Sequence, residues 1–135
     1  MLSYRRFGDG NKMLFCFHGY GEDALTFSFL EKNLGNEFTL IALDFPFHGL
    51  TEWNEEFLLR IDELIEIMNK ISSVQSFSIL GYSMGGRVAL KLLQIIPDRI
   101  EKIILLAPDG LHNNFWHKIS KKFFKRKENL IFSLK

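Results

Sequence analysis

The sequence predicts an α/β protein: a mostly parallel sheet between helices, in three layers. Three observations carry this expectation. Short runs that are apolar along their whole length alternate with segments whose apolar residues recur at helical spacing, the pattern of parallel strands covered on both faces. Glycine, proline, histidine and serine cluster directly after those runs, where the ligand sites of such sheets lie. The 135 residues, 47% hydrophobic and 24% charged, suit one domain able to bury a core of its own.

Residues 2–7 are short and aromatic, and Gly8-Asp9-Gly10-Asn11 is a strong turn signal, so the two read as a hairpin into the next run. Lys12 to Phe17 is a buried strand, and Phe27, Leu30 and Leu34 set a helix over 24–34 that Gly35 stops. Phe38 to Leu43 is a second buried strand ending at Asp44. After a loop with Pro46, Gly49 and Asn54, Phe57, Ile61, Leu64, Ile65 and Met68 give an amphipathic helix over 55–71. A third strand is predicted at 77–80, then a helix over 84–96 with Val88, Leu92 and Ile96 inward. Pro97-Asp98 closes that helix before a fourth strand at 102–106.

The net charge of +1 gives no global case for nucleic acid. Fourteen phenylalanines point to an aromatic core. The single cysteine, Cys16, lies inside an apolar run and reads as a buried, inert thiol. With no secretory leader pattern at the first residues and no apolar stretch long enough for a bilayer, the expected location is cytoplasmic. No metal cluster, phosphate loop or dinucleotide fingerprint is evident, so no cofactor and no metal is expected.

Residues 80–86, Leu-Gly-Tyr-Ser-Met-Gly-Gly, carry the chemistry. Gly81-x-Ser83-x-Gly85 between a strand and a helix is the context of a nucleophile elbow, in which a sharp turn lifts a serine above the sheet. The following helix directs free N–H groups and a partial positive charge at the same point. With Phe17-His18-Gly19-Tyr20-Gly21, Asp44-x-Pro46-x-His48-Gly49, and Pro97-Asp98-Arg99 leading to Leu105-Leu106-Ala107-Pro108, the chain resembles the α/β-hydrolase superfamily over nearly its whole length.

The resemblance implies Ser83 as nucleophile, the backbone N–H groups of Tyr20 and Met84 as the oxyanion hole, and His18, Gly19, His48 and Tyr82 around the substrate, with His18 and Asp44 organising loops. It implies a serine hydrolase acting through an acyl-enzyme on a carboxylic ester or related small-molecule acyl substrate. The family's acid and histidine follow Ser83 in the chain, usually after later strands, and the expectation is a fold truncated before those strands. Asp109 is the acid candidate here, with His112 or His117 as base. Two alternatives stand beside this reading. One is a non-catalytic or incomplete module of the same fold; the other is a lyase like those of the menaquinone pathway, whose elbow Gly-Tyr-Ser-Met-Gly-Gly-Arg resembles.

Residues 1–111 are expected to form the core and 112–135 the start of a cap, or a basic amphipathic tail. Over 113–127, Phe115, Trp116, Ile119 and Phe123 fall to one side and the lysines largely elsewhere, so contact with a membrane surface is the alternative to a cap. The sheet edge after 103–106 needs covering, by the tail or by a second copy of the chain in a homodimer.

Overall fold

The computed structural model describes residues 1–54 and 58–107 with their side chains, and the backbone of Leu130–Ser133. Six strands form one sheet: β1 (Tyr4–Phe7), β2 (Lys12–Phe17), β3 (Phe38–Leu43), β4 (Phe77–Tyr82), β5 (Ile100–Leu106) and β6 (Leu130–Ser133), in the order β1-β3-β2-β4-β5-β6. Only the β1–β3 pairing is antiparallel.

The pleat assigns the core to two faces. On β2, Phe15 and Phe17 point to one side with Ile41, Leu43, Ile79 and Leu105, where α2 (Ile61–Ile71) and α3 (Met84–Ile95) pack through Leu64, Met68, Leu90 and Leu93. Leu14 and Cys16 point to the other, with Leu40, Ala42 and Leu80, and are covered by Ala24 and Phe27. Side chains alternating across a strand therefore build both interlayer cores. Five phenylalanines, at 15, 17, 27, 45 and 77, are buried, whereas Phe29 and Phe47 are exposed. Cys16 is fully buried, which pushes its thiol far above the ordinary range and leaves it inert.

Three expectations need correction. Residues 4–7 and 12–17 form no hairpin, because β3 lies between them and β1 pairs with β3. The Gly8–Gly10 turn instead docks on the end of the next helix, Asp9 and Gly10 N–H both donating to the Gly35 carbonyl. A Cβ on Gly8 would lie 2.5 Å from the Gly35 Cα, so this approach requires glycine. The helix over 24–34 is a 3-10 segment (Ala24–Leu30), begun by the Asp23 carboxylate accepting from the Leu25 N–H, and followed by one α-turn, α1 (Glu31–Leu34). The helix drawn over 55–71 begins at Ile61: Arg60 is the N-cap, its N–H donating to the Glu63 carboxylate, and residues 55–57 lie outside the described residues. On α3, Leu92 is buried with Ala89, Leu90 and Leu93, and Val88 and Ile96 pack partly buried against the same core, so the inward face is the one the spacing predicts.

Leu130–Ser133 runs parallel to β5 from Ile103 to Leu106, so the edge that the sequence left open is paired by the chain itself. Of the segment 112–135, expected as cap or amphipathic tail, only the backbone of Leu130–Ser133 is described; the rest of it, and the candidates Asp109, His112 and His117, lie outside the described residues.

The topology locates the site. From β2 the chain crosses one face of the sheet to β3 on one side, and from β4 it crosses the other face to β5 on the opposite side. Connections leaving in opposite directions open a crevice at the carboxyl ends of β2 and β4. Those ends are His18-Gly19-Tyr20 and Ser83.

Candidate active site

Ser83 joins β4 directly to α3 with φ 49° and ψ −115°. A side chain is uncommon at positive φ and costs energy there. The steric reason for the neighbouring glycines is explicit. A Cβ on Gly81 would lie 2.6 Å from the Gly85 carbonyl oxygen, and one on Gly85 would overlap the Phe17 carbonyl. The first turn of α3 thus sits hard against the end of β2, bringing the elbow and the His18-Gly19-Tyr20 loop together. The Ser83 N–H donates to the Leu106 carbonyl at 2.9 Å, tying the elbow to β5 as well.

Ser83 is the N-cap of α3, yet its hydroxyl makes no capping hydrogen bond. A serine kept at this position for helix stability accepts from the N–H two or three residues on, with extended backbone angles. Here the side chain is held at a strained angle and left unspent, while the N–H of Met84 heads a helix whose first N–H groups have no intrahelical partner.

Around the crevice three non-glycine residues have positive φ: Phe47, Ser83 and Ala107, at 65°, 49° and 42°. They follow β3, β4 and β5, so backbone strain collects at one end of the sheet, where functional sites hold it.

The two histidines are structural pins. His18 is fully buried, its Nδ1–H donating to the Gly19 carbonyl at 2.7 Å and its Nε2 accepting from the Phe45 N–H at 3.0 Å. Those partners fix a neutral ring, and burial pushes its pKa below the ordinary value despite the bond to Gly19. His48 repeats the arrangement, Nδ1–H to the Pro46 carbonyl at 2.8 Å and Nε2 accepting from the Gly21 N–H at 3.0 Å. The rings lie 4.9 Å apart. Both nitrogens of both rings are committed, so neither histidine is placed to take a proton from Ser83.

His18 lies fully buried beneath the loop. Gly19 packs against the Tyr82 ring, His48 lines two clefts at the surface, and Tyr20 is exposed with its ring edge-on to His48. The buried Asp44 holds the loops together: its carboxylate accepts from Ala24 N–H at 2.7 Å and Leu50 N–H at 2.9 Å, and the Gly49 backbone closes over it. Its partner Thr51 donates to the Asp44 carbonyl and accepts from Ser3 N–H, a role with no recognisable sequence signal. Among the described residues no three His, Cys, Asp or Glu side chains gather as metal ligands. No helix there is long and apolar enough to cross a membrane.

A strand-to-helix elbow at the switch point of a parallel sheet is the architecture of the alpha/beta hydrolase fold, and the model of that family matches residues 12–134. The chain belongs to this family. It is 32% identical over 99 residues to a serine hydrolase-like protein of Danio rerio, covering 70% of this chain and 30% of that one. It is 29% identical over 104 residues to the uncharacterized hydrolase YugF of Bacillus subtilis (strain 168), covering 75% and 38%. The chain therefore spans well under half the length of these curated relatives.

Solved structures share the fold. An esterase of a marine microorganism superposes with a TM-score of 0.68 at 23% identity, over 94% of this chain and 51% of that one. A monoacylglycerol lipase of Paleococcus ferrophilus gives 0.69 at 21% identity, over 93% and 52%.

Proposed function

We propose that the chain carries the nucleophile and oxyanion hole of a serine hydrolase acting on a carboxylic ester or related acyl substrate. The observation that carries this reading is the Ser83 hydroxyl, held at φ 49° and spent on no helix cap. Its Oγ would attack the acyl carbon while its proton passes to a base, and the Tyr20 and Met84 N–H groups would receive the carbonyl oxygen as it gains charge. The alcohol then leaves with that proton, and water releases the acid by the same route. Among residues in this chain, Asp109 followed by His112 or His117 is in the order that the family uses. Relatives and neighbours named as esterases, lipases and hydrolases support an ester substrate.

A second reading, an incomplete module without turnover, is favoured by one observation: both described histidines are fully committed to backbone partners. A burst assay with p-nitrophenyl acetate separates the two. Acyl-enzyme formation gives a burst in the wild type, and Ser83→Ala lowers the rate by about a thousandfold or more. Equal, background-level rates in both proteins refute the catalytic reading. Unchanged activity in both His112→Ala and His117→Ala excludes an internal triad.

A further inference from the structure

Beside the elbow, the start of α2, the first turns of α3 and the loop after β3 enclose a cleft of about 520 Å³, a size typical of small-molecule sites. Its walls are largely apolar, Phe45, Leu64, Val88 and Met84 among the lining residues, and Met84 follows Ser83 directly in the chain. Two cations share this space. Arg87 and Lys91 lie one turn apart on α3 and on the same face as Met84, and both are exposed.

The nearby charges do not neutralise them. Arg60, also in the lining, is held by Asp62 through Nε at 3.1 Å and Nη2 at 2.7 Å, and the Glu63 carboxylate caps the Arg60 N–H. Both acids of the first turn of α2 are thereby engaged. Among the described residues neither Arg87 nor Lys91 makes an ion pair. Exposed cations on a helix face are ordinary when solvated; two of them lining one apolar cleft, with no ion pair among the described residues, form a complementary surface for one kind of molecule.

We infer that this cleft binds an amphipathic carboxylate, its apolar chain along Phe45, Leu64 and Val88 and its anionic head at Arg87 and Lys91. Lys91 lies seven helical steps beyond Met84, about 10 Å at the helical rise. The substrate class is then an ester of a medium-length acyl chain whose far end is anionic. Placing the scissile carbonyl at the Met84 end rests on the proposed hydrolase reading; binding of the anion does not.

The test is calorimetric titration of the full chain carrying Ser83→Ala, which prevents turnover, with decanoate and with decanol. Decanoate binds about tenfold more tightly than decanol, and Arg87→Gln with Lys91→Gln removes that advantage while leaving decanol within about twofold. Arg87→Lys, which keeps the charge, retains most of the decanoate affinity. Raising salt weakens decanoate alone. Equal affinity for the two probes, binding of neither, or equal loss of both in the double variant overturns the assignment. Decanoate binding in a protein whose wild type gives no p-nitrophenyl acetate burst would sink the hydrolase reading and leave the site standing; a burst without decanoate binding does the reverse.

Discussion

The backbone at Ser83 makes a prediction that separates a displayed side chain from a helix cap. Replacing Ser83 by Gly removes the Cβ from a residue at φ 49°. With ψ at −115° the residue lies outside the left-handed helical well, and the relief from no longer holding a Cβ in so sparsely populated a region is about 1–2 kcal/mol. Against it stands the greater freedom of glycine in the unfolded chain, about 0.5–1 kcal/mol. No capping bond is lost, because the hydroxyl makes none. The net expectation is that Ser83→Gly is more stable than wild type by about 0.5–1 kcal/mol, whereas Ser83→Ala, which keeps the Cβ and hence the strain, is within about 0.5 kcal/mol of wild type.

Urea denaturation of the three proteins, analysed by linear extrapolation at constant m-value, reads the difference directly. Thermal midpoints should rise by about 2–5 °C in the glycine variant. A functional cap predicts the opposite order: loss of an N-cap serine to Ala costs about 1 kcal/mol, and to Gly a few tenths. If both variants lose stability, with Ala the worse, then Ser83 is a cap and the strain argument fails. Both variants lose the acyl-enzyme burst if Ser83 is the nucleophile, so stability and activity would move in opposite directions at one residue.

Two further predictions concern the shell around the elbow. Gly85→Ala drives a methyl into the Phe17 carbonyl, backbone against backbone, and should cost about 2–3 kcal/mol by denaturant unfolding; a change below 0.5 kcal/mol, on the scale of surface substitutions, would mean that α3 does not pack there. His18, buried and neutral, has its pKa lowered from 6.5. Below about pH 6.5 the unfolded chain therefore binds a proton that the fold refuses. Its contribution is intact above that pH and lost as the pH falls toward the lowered folded value, with a limiting slope of about 1.4 kcal/mol per pH unit. His18→Asn should flatten that part of the stability profile, and an unchanged slope would assign the pH dependence elsewhere.

What the sequence disclosed follows from which constraints are local. The four parallel strands were legible because a strand covered on both faces must be apolar throughout, a demand written into Leu14-Phe15-Cys16-Phe17 itself. The pairing of β1 was not, because Gly8-Asp9-Gly10-Asn11 specifies a reversal but not the neighbour; that choice was made by contact with Gly35 and Glu37, some twenty-five residues away. The start of α2 was missed for a related reason: Phe57 fits the helical period, while the boundary depends on the Arg60 N–H meeting the Glu63 carboxylate.

The elbow was the most legible part of the site, since Gly81 and Gly85 each record a steric exclusion by a named backbone atom. The neutral tautomers of His18 and His48 left no such mark. Histidine serves equally as base and as pin, and only the carbonyl at one nitrogen and the N–H at the other decide between them. That asymmetry places the remaining chemical question outside the elbow. The strained turn and its glycines account for how the serine is displayed, and both described imidazoles are spent on the loops after β2 and β3. Under the proposed hydrolase reading, the proton acceptor for Ser83 is therefore neither His18 nor His48, and the sequence candidates His112 and His117 lie outside the described residues.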